Sequence, residues 1–187
     1  YINNHKENGV TSAEVVTGNN PQERTLLSVY MNYEKQCQIS GLIDFADLLL
    51  KTVVMLKRDP ALRQSYQQRF RYILVDEFQD INNIQYMWLK IISAMYDTPN
   101  NTNNVMVVGD DDQSIYSWRG AQIEHILSFS KEYPDVRTVR LEQNYRSTGN
   151  ILAAANAVIE KNDGRLGKSL WTDGGAGSPI YMYHSMN

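Results

Sequence analysis

Residues 73–80 read Ile-Leu-Val-Asp-Glu-Phe-Gln-Asp. An apolar run that breaks directly into two adjacent carboxylates constrains the fold more than any other stretch of the chain. Ile73, Leu74 and Val75 predict a strand buried on both faces of a parallel sheet. Ligands of open α/β sheets bind just past the carboxyl ends of such strands, where Asp76 and Glu77 stand. One carboxylate there can hold a magnesium ion and the other can handle a water. That is half of a site for hydrolysing a nucleoside triphosphate.

The rest of the sequence places this strand in an alternating pattern. Residues 1–20 are polar, with Gly9, Gly18 and an Asn-Asn-Pro stop at 19–21. Pro21 suits the first position of a helix, and Gln22–Gln38 reads helical until Gly41 breaks it. Asp44 begins a second helix with Leu48, Leu49, Thr52, Val53 and Leu56 on one face. Pro60 opens a third, ending near Phe70. The pattern then predicts a strand at Tyr72–Val75 and a helix at Ile84–Tyr96 with Trp88, Ile91, Ile92 and Met95 inward. An exposed loop follows from Pro99 to Asn104, then a strand at Val105–Val108. Gln122–Tyr133 reads as a helix stopped by Pro134, and Arg137–Leu141 as a third strand. Ser147 or Thr148 caps a helix running to about Lys161, and Pro179–His184 alternates like a further strand. Such alternation implies parallel βαβ units. Gly174–Gly177 reads as a turn between elements, without the lysine of a phosphate-cradling loop.

Two stretches downstream complete the chemistry. Gly109-Asp-Asp-Asp-Gln-Ser-Ile-Tyr-Ser-Trp-Arg-Gly120 directly follows a predicted strand and has neither helical nor strand period. Gln113 carries an amide able to sense a γ-phosphate. Tyr116 and Trp118, with Arg119 beside them, read either as core anchors or as a platform for unstacked bases, where each stacked base contributes ~1–3 kcal/mol. In Arg140-Leu-Glu-Gln-Asn-Tyr-Arg-Ser147, Tyr145 can stack on a purine and Arg146 can reach phosphate oxygens. The following helix is expected to aim its N-terminus at the same phosphate.

Charge narrows how nucleic acid could be held. The chain has 187 residues and a net charge of −3, so binding must rest on local patches. Lys57, Arg58, Arg63, Arg69 and Arg71 form one basic run, which a solvated helix face explains as well. Cys37 is the only cysteine; no internal disulfide can form, and a cytoplasmic setting is expected. No apolar stretch approaches the ~20 residues needed to span a bilayer. The first residue is Tyr1 and no signal peptide is visible, so a piece of a longer protein is expected.

The stretches DEFQD, VGDDDQSIYSWRGA and RLEQNYRS, in this order and spacing, resemble motifs II, III and IV of the UvrD/Rep/PcrA helicases of superfamily 1. Residues 41–50, 82–86 and 164–173 resemble the UvrD branch more than Rep. The resemblance implies an α/β fold: a RecA-like parallel sheet of the P-loop NTPase type, incomplete and preceded by a helical insertion. It places the insertion at 1–70, the end of a first RecA-like domain at 71–136 and the start of a second at 137–187. The ligands it implies are ATP and Mg²⁺. Asp76 would bind the metal, Glu77 activate the water, and Gln113 contact the γ-phosphate. Tyr116 and Trp118 would stack on single-stranded DNA, with Arg119 supporting their loop. Tyr145 would pack on adenine, and Arg146 would act as a γ-phosphate finger.

The implied parent is an ATP-dependent 3′→5′ DNA helicase and translocase acting in repair or replication. It would be bacterial, cytoplasmic and nucleoid-associated, with single strands, single/double-strand junctions and DNA-repair proteins as partners and no membrane. Ile81 stands where the family pattern leads one to expect threonine, which reads as a packing change. The G-x-x-x-x-G-K-[ST] loop of the family is absent from the sequence, as are motifs V and VI. An internal segment is therefore expected, and alone it reads as a non-catalytic single-strand binder.

Overall fold

The computed structural model describes residues 1–98, 103–133 and 135–184. It divides into two compact units, Tyr1–Asp135 and Val136–Asn187. In the first unit the elements are α1 (Ile2–Glu7), α2 (Pro21–Ile39), α3 (Phe45–Arg58), α4 (Pro60–Arg69), β1 (Tyr72–Val75), α5 (Asn83–Ile92), β2 (Asn104–Val107) and α6 (Glu124–Glu132). The second unit contributes α7 (Gly149–Ile159).

Helix starts follow side-chain chemistry. Asn20, Asp44, Asp59 and Asn82 each accept a backbone N–H of the first turn that follows, satisfying donors that the helix cannot pair internally. Asn82 also forms a reciprocal capping box with Gln85. Pro21 and Pro60 occupy first-turn positions, where a missing N–H costs nothing. α5 stops at Ile92, short of the expected Tyr96, because Ala94 turns left-handed at φ 64°.

The polar N-terminus hides an unexpected element. Lys6, on α1, is fully buried. Its ammonium lies 2.7 Å from Asp44 and 2.8 Å from Asp47, which fastens α1 onto the start of α3. Burial works against the charge on Lys6, but the hydrogen bonds to both carboxylates outweigh it and raise its pKa. Burial also pushes the Asp44 carboxyl upward, yet the bonds from Lys6, Tyr33 and the Asp47 amide hold it at about 2. The buried face of α3 is Asp47, Leu50, Val53 and Leu56. Leu48, expected inward, is half exposed.

α5 packs against α1, α3 and α4, so it is apolar around most of its circumference. Ile84, Tyr86, Leu89, Ile91 and Ile92 are buried, while Trp88 falls on the remaining open strip. β1, α5 and β2 form one βαβ unit with the two strands parallel, Ile73 opposite Val105 and Val75 opposite Val107. The expectation of burial on both faces fails. Ile73 is buried, whereas Tyr72 and Leu74 are each 75% exposed, because only one face of this two-stranded sheet is covered. The architecture is a mixed helix–strand arrangement with a small parallel sheet, compatible with an incomplete α/β domain.

In the second unit neither expected strand forms. Arg137–Leu141 and Pro179–His184 carry no ladder. The unit's one strand-like contact among the described residues is an isolated parallel bridge between Gln143 and Trp171. A strand exists only by pairing, and Val139, Leu141, Tyr181 and Tyr183 are exposed. The expected loop at 99–104 lies mostly outside the described residues, as does Pro134.

Candidate nucleotide and nucleic-acid site

In the first unit, the carboxyl ends of β1 and β2 lie side by side. Val108 N donates to Val75 O at 2.8 Å and Phe78 N to Val108 O at 2.9 Å, extending the ladder past both strands. Asp76 and Glu77 are exposed at this edge. Asp76 Oδ1 accepts from Glu77 N at 2.9 Å. Glu77 is left-handed, at φ 50° and ψ 44°, a conformation uncommon for a residue with a side chain. It turns the chain sharply into a 3₁₀ turn at Phe78–Asp80. Phe78 is fully buried and meets Tyr86 and Phe129 edge-on, at ring separations of 6.1 and 5.3 Å. The aromatic in the middle of the acidic motif thus pins the strand-end turn to the core.

Gln79, which the sequence reading did not select, is the hub of the edge. It is 1% exposed. Its Nε2 donates to Glu77 Oε2 at 2.7 Å, and its Oε1 accepts from Asp110 N at 2.9 Å. Gly109 packs close beside it: a Cβ there would stand 2.7 Å from Gln79 Oε1. The signal lay within the octapeptide, but with no strand or helical period nothing told an inward amide from an outward one.

Beyond β2 the chain makes a 3₁₀ turn at Asp111–Gln113. Asp110 accepts from Asp112 N at 3.0 Å and from Gln113 Nε2 at 2.6 Å. Carboxylate oxygens of Asp110, Asp111 and Asp112 lie within 4.8 Å of one another. Gln113 is thereby held on the same edge as Asp76 and Glu77. Asp76, an exposed carboxylate at a strand end, supplies the hard oxygen donor that Mg²⁺ prefers, so the residues present fit that ion.

Tyr116 and Trp118 are not core anchors. Trp118 is 77% exposed. The rings stand 6.3 Å apart, and the Arg119 guanidinium lies 5.5 Å from the Tyr116 ring and 5.6 Å from the Trp118 ring. This distance is favourable for cation–π attraction. Gly120, at φ 83°, closes the turn. The three residues border a polar cleft of about 790 Å³ that is also lined by Asn4, Asn82 and Gln85. The basic run at 57–71 is partly committed elsewhere: Arg63, on α4, forms a two-bond pair with Asp97.

In the second unit, Tyr145 and Arg146 are exposed. Asn144 Oδ1 accepts from Arg146 N at 2.9 Å and Ser147 N at 2.7 Å, and Tyr145 Oη donates to Gln143 at 2.8 Å. The start of α7 is not open to a phosphate as expected. Gly149 N and Asn150 N donate to the carbonyls of Gly175 and Ala176 at 2.8 and 2.9 Å. The glycine-rich stretch lies over the helix N-terminus, so close that a Cβ on Gly177 would fall 2.2 Å from Thr148 Oγ1.

Comparison with known proteins bears on this arrangement. Residues 1–134 match the UvrD/REP helicase N-terminal domain. The whole chain is 51% identical to DNA helicase II of Escherichia coli and 50% identical to that of Haemophilus influenzae. It is 45% identical to the ATP-dependent DNA helicase PcrA of Staphylococcus epidermidis over 90% of its length. The chain spans about a quarter of the length of these relatives, 25% for the first two and 22% for the last. With the family match covering well over half of its residues, the chain belongs to the UvrD/REP helicase family.

Proposed function

We propose that the chain is a segment of an ATP-dependent 3′→5′ DNA helicase and translocase that couples nucleotide hydrolysis to movement along single-stranded DNA. Residues 1–70 are read as the end of a helical insertion, 71–136 as part of a first RecA-like domain and 137–187 as the start of a second. Mg²⁺, when bound, would screen the phosphate charge, with Asp76 as its protein ligand. Glu77 takes the proton of the attacking water, and Gln113 contacts the γ-phosphate. Tyr145 packs on the adenine, and Arg146 reaches the γ-phosphate as a charged finger. Tyr116 and Trp118 stack on bases, with Arg119 holding the two rings. Single strands and their junctions with duplex are the DNA partners of this reading, and DNA repair, with its proteins, the setting.

The observation that carries it is the shared strand-end edge, where Glu77 and Gln113 both connect to Asp110, Glu77 through Gln79. The test is made in the full-length protein. Glu77→Gln is expected to keep ATP binding and to lose hydrolysis by about a hundredfold or more; retained hydrolysis removes Glu77 as the base. Trp118→Ala is expected to weaken single-strand binding and DNA stimulation of ATP turnover; unchanged stimulation removes the platform. A second reading concerns the chain by itself. Its aromatic platform is assembled, but its sequence has no phosphate loop. The chain alone is therefore expected to bind single strands without DNA-stimulated ATP turnover, and robust turnover by a pure sample refutes this.

A further inference from the structure

We infer that Gln79 is a positioning residue: its buried amide holds the Glu77 carboxylate and ties it to the Asp110–Gln113 turn, so that base and γ-phosphate sensor are set as one unit. The inference rests on the function proposed above, in which Glu77 and Gln113 play those parts.

The argument starts from what a buried amide demands. Gln79 is 1% exposed, and a buried side-chain amide with an unmet donor or acceptor is costly. Its two ends are met by two different segments. The Glu77 carboxylate can only accept, and it lies 2.7 Å from Nε2. The Asp110 amide can only donate, and it lies 2.9 Å from Oε1. Reversing the amide would set oxygen against oxygen and N–H against N–H, so the partners themselves fix its orientation. The amide reaches the side chain of the proposed base and the backbone that follows the other strand.

The path continues without a gap. Asp110 accepts from Gln113 Nε2 at 2.6 Å, so a line of hydrogen bonds runs from Glu77 through Gln79 and Asp110 to Gln113. Both ends are constrained. Glu77 sits in a left-handed turn, and its carboxylate is tethered by Gln79. Gly109 leaves no free volume beside Oε1, since even a methyl group would collide with it. The neighbouring Phe78 is fixed by its aromatic contacts, so Gln79 cannot readily shift to another set of partners. Positioning within about half an ångström is what separates a working base from a nearby carboxylate.

The test uses the full-length protein and Gln79→Met, which keeps the shape and removes both hydrogen bonds. DNA-stimulated kcat is expected to fall roughly tenfold to a hundredfold, with KM for ATP changed less than about threefold. In a cycle with Glu77→Gln, the second substitution is expected to add little, because Gln79 acts through Glu77. Additive losses in the cycle, or wild-type kcat in Gln79→Met, overturn the inference while leaving the function standing. Normal hydrolysis by Glu77→Gln overturns the function and this inference together. If Gln79→Met melts too early to assay, Gly109→Ala displaces the same amide while keeping every polar group. The same fall in kcat at unchanged KM is then expected, and wild-type kcat overturns the inference.

Discussion

Glu77 in the first unit and Arg146 in the second are both exposed charged residues on tight turns, but they are held in different ways. Glu77 is fixed by Gln79, whose other partner, Asp110, lies 31 residues further along the chain. Beside it, Phe78 is buried against Tyr86 and Phe129. Arg146 is fixed by its near neighbour Asn144, in a unit where Leu152 is the one buried apolar residue among those described. One turn is part of a core; the other is a local fold of the backbone. Geometry fixed by contacts distant in the chain is therefore a property of the strand-end edge, while Tyr145 and Arg146 are exposed and held by near neighbours.

The comparison can be broken at several points. Phe78→Ala removes the pin of the first turn and is expected to cost about 3–5 kcal/mol in urea unfolding. A loss under about 1 kcal/mol would show that the turn is no better anchored than its counterpart. Acid tests the first unit through Asp44. Its carboxyl is lowered from 3.8 to about 2, so its stabilisation is complete above about pH 4 and is lost as pH falls through about 2. The contribution is about 1–3 kcal/mol. Lys6→Met removes one of the three bonds that lower this carboxyl and should weaken this part of the acid dependence, and an unchanged profile between pH 4 and 2 refutes the assignment.

Asn144→Ala removes the Asx turn before Arg146 and is expected to cost about 1 kcal/mol, with the unfolding of the first unit unaffected. Ile81→Thr should lie within about 0.5 kcal/mol of wild type, since Ile81 is only half-buried and its backbone carbonyl, not its side chain, holds Gln122 N at 3.0 Å. A larger change would give the position a role beyond packing.

Much of the first unit is legible in the sequence because its helices announce their ends. Pro21, Asp44 and Pro60 stand within a residue of the observed starts, and the periodicity between them is regular. α1 is not legible, because Lys6 is an ordinary surface residue until Asp44 and Asp47 are brought to it from about 40 positions away. The octapeptide places Asp76 and Glu77 at a strand end, but Ile-Leu-Val looks the same whether one or both faces are covered. Gln79 is hidden for a related reason: its role depends on Asp110, which meets it only when β1 and β2 align. The strands expected in the second unit rest on alternation alone, and alternation does not supply a neighbour to pair with.

The carbonyls of Gly175 and Ala176 occupy the first amides of α7, and this has a consequence for how charge is presented in the second unit. A helix terminus is a permanent attraction: it cannot be withdrawn without unwinding. A guanidinium on a flexible stem can rotate away in nanoseconds. With the permanent source already engaged by its own chain, attraction for an anion near Arg146 rests on the side chain that can let go.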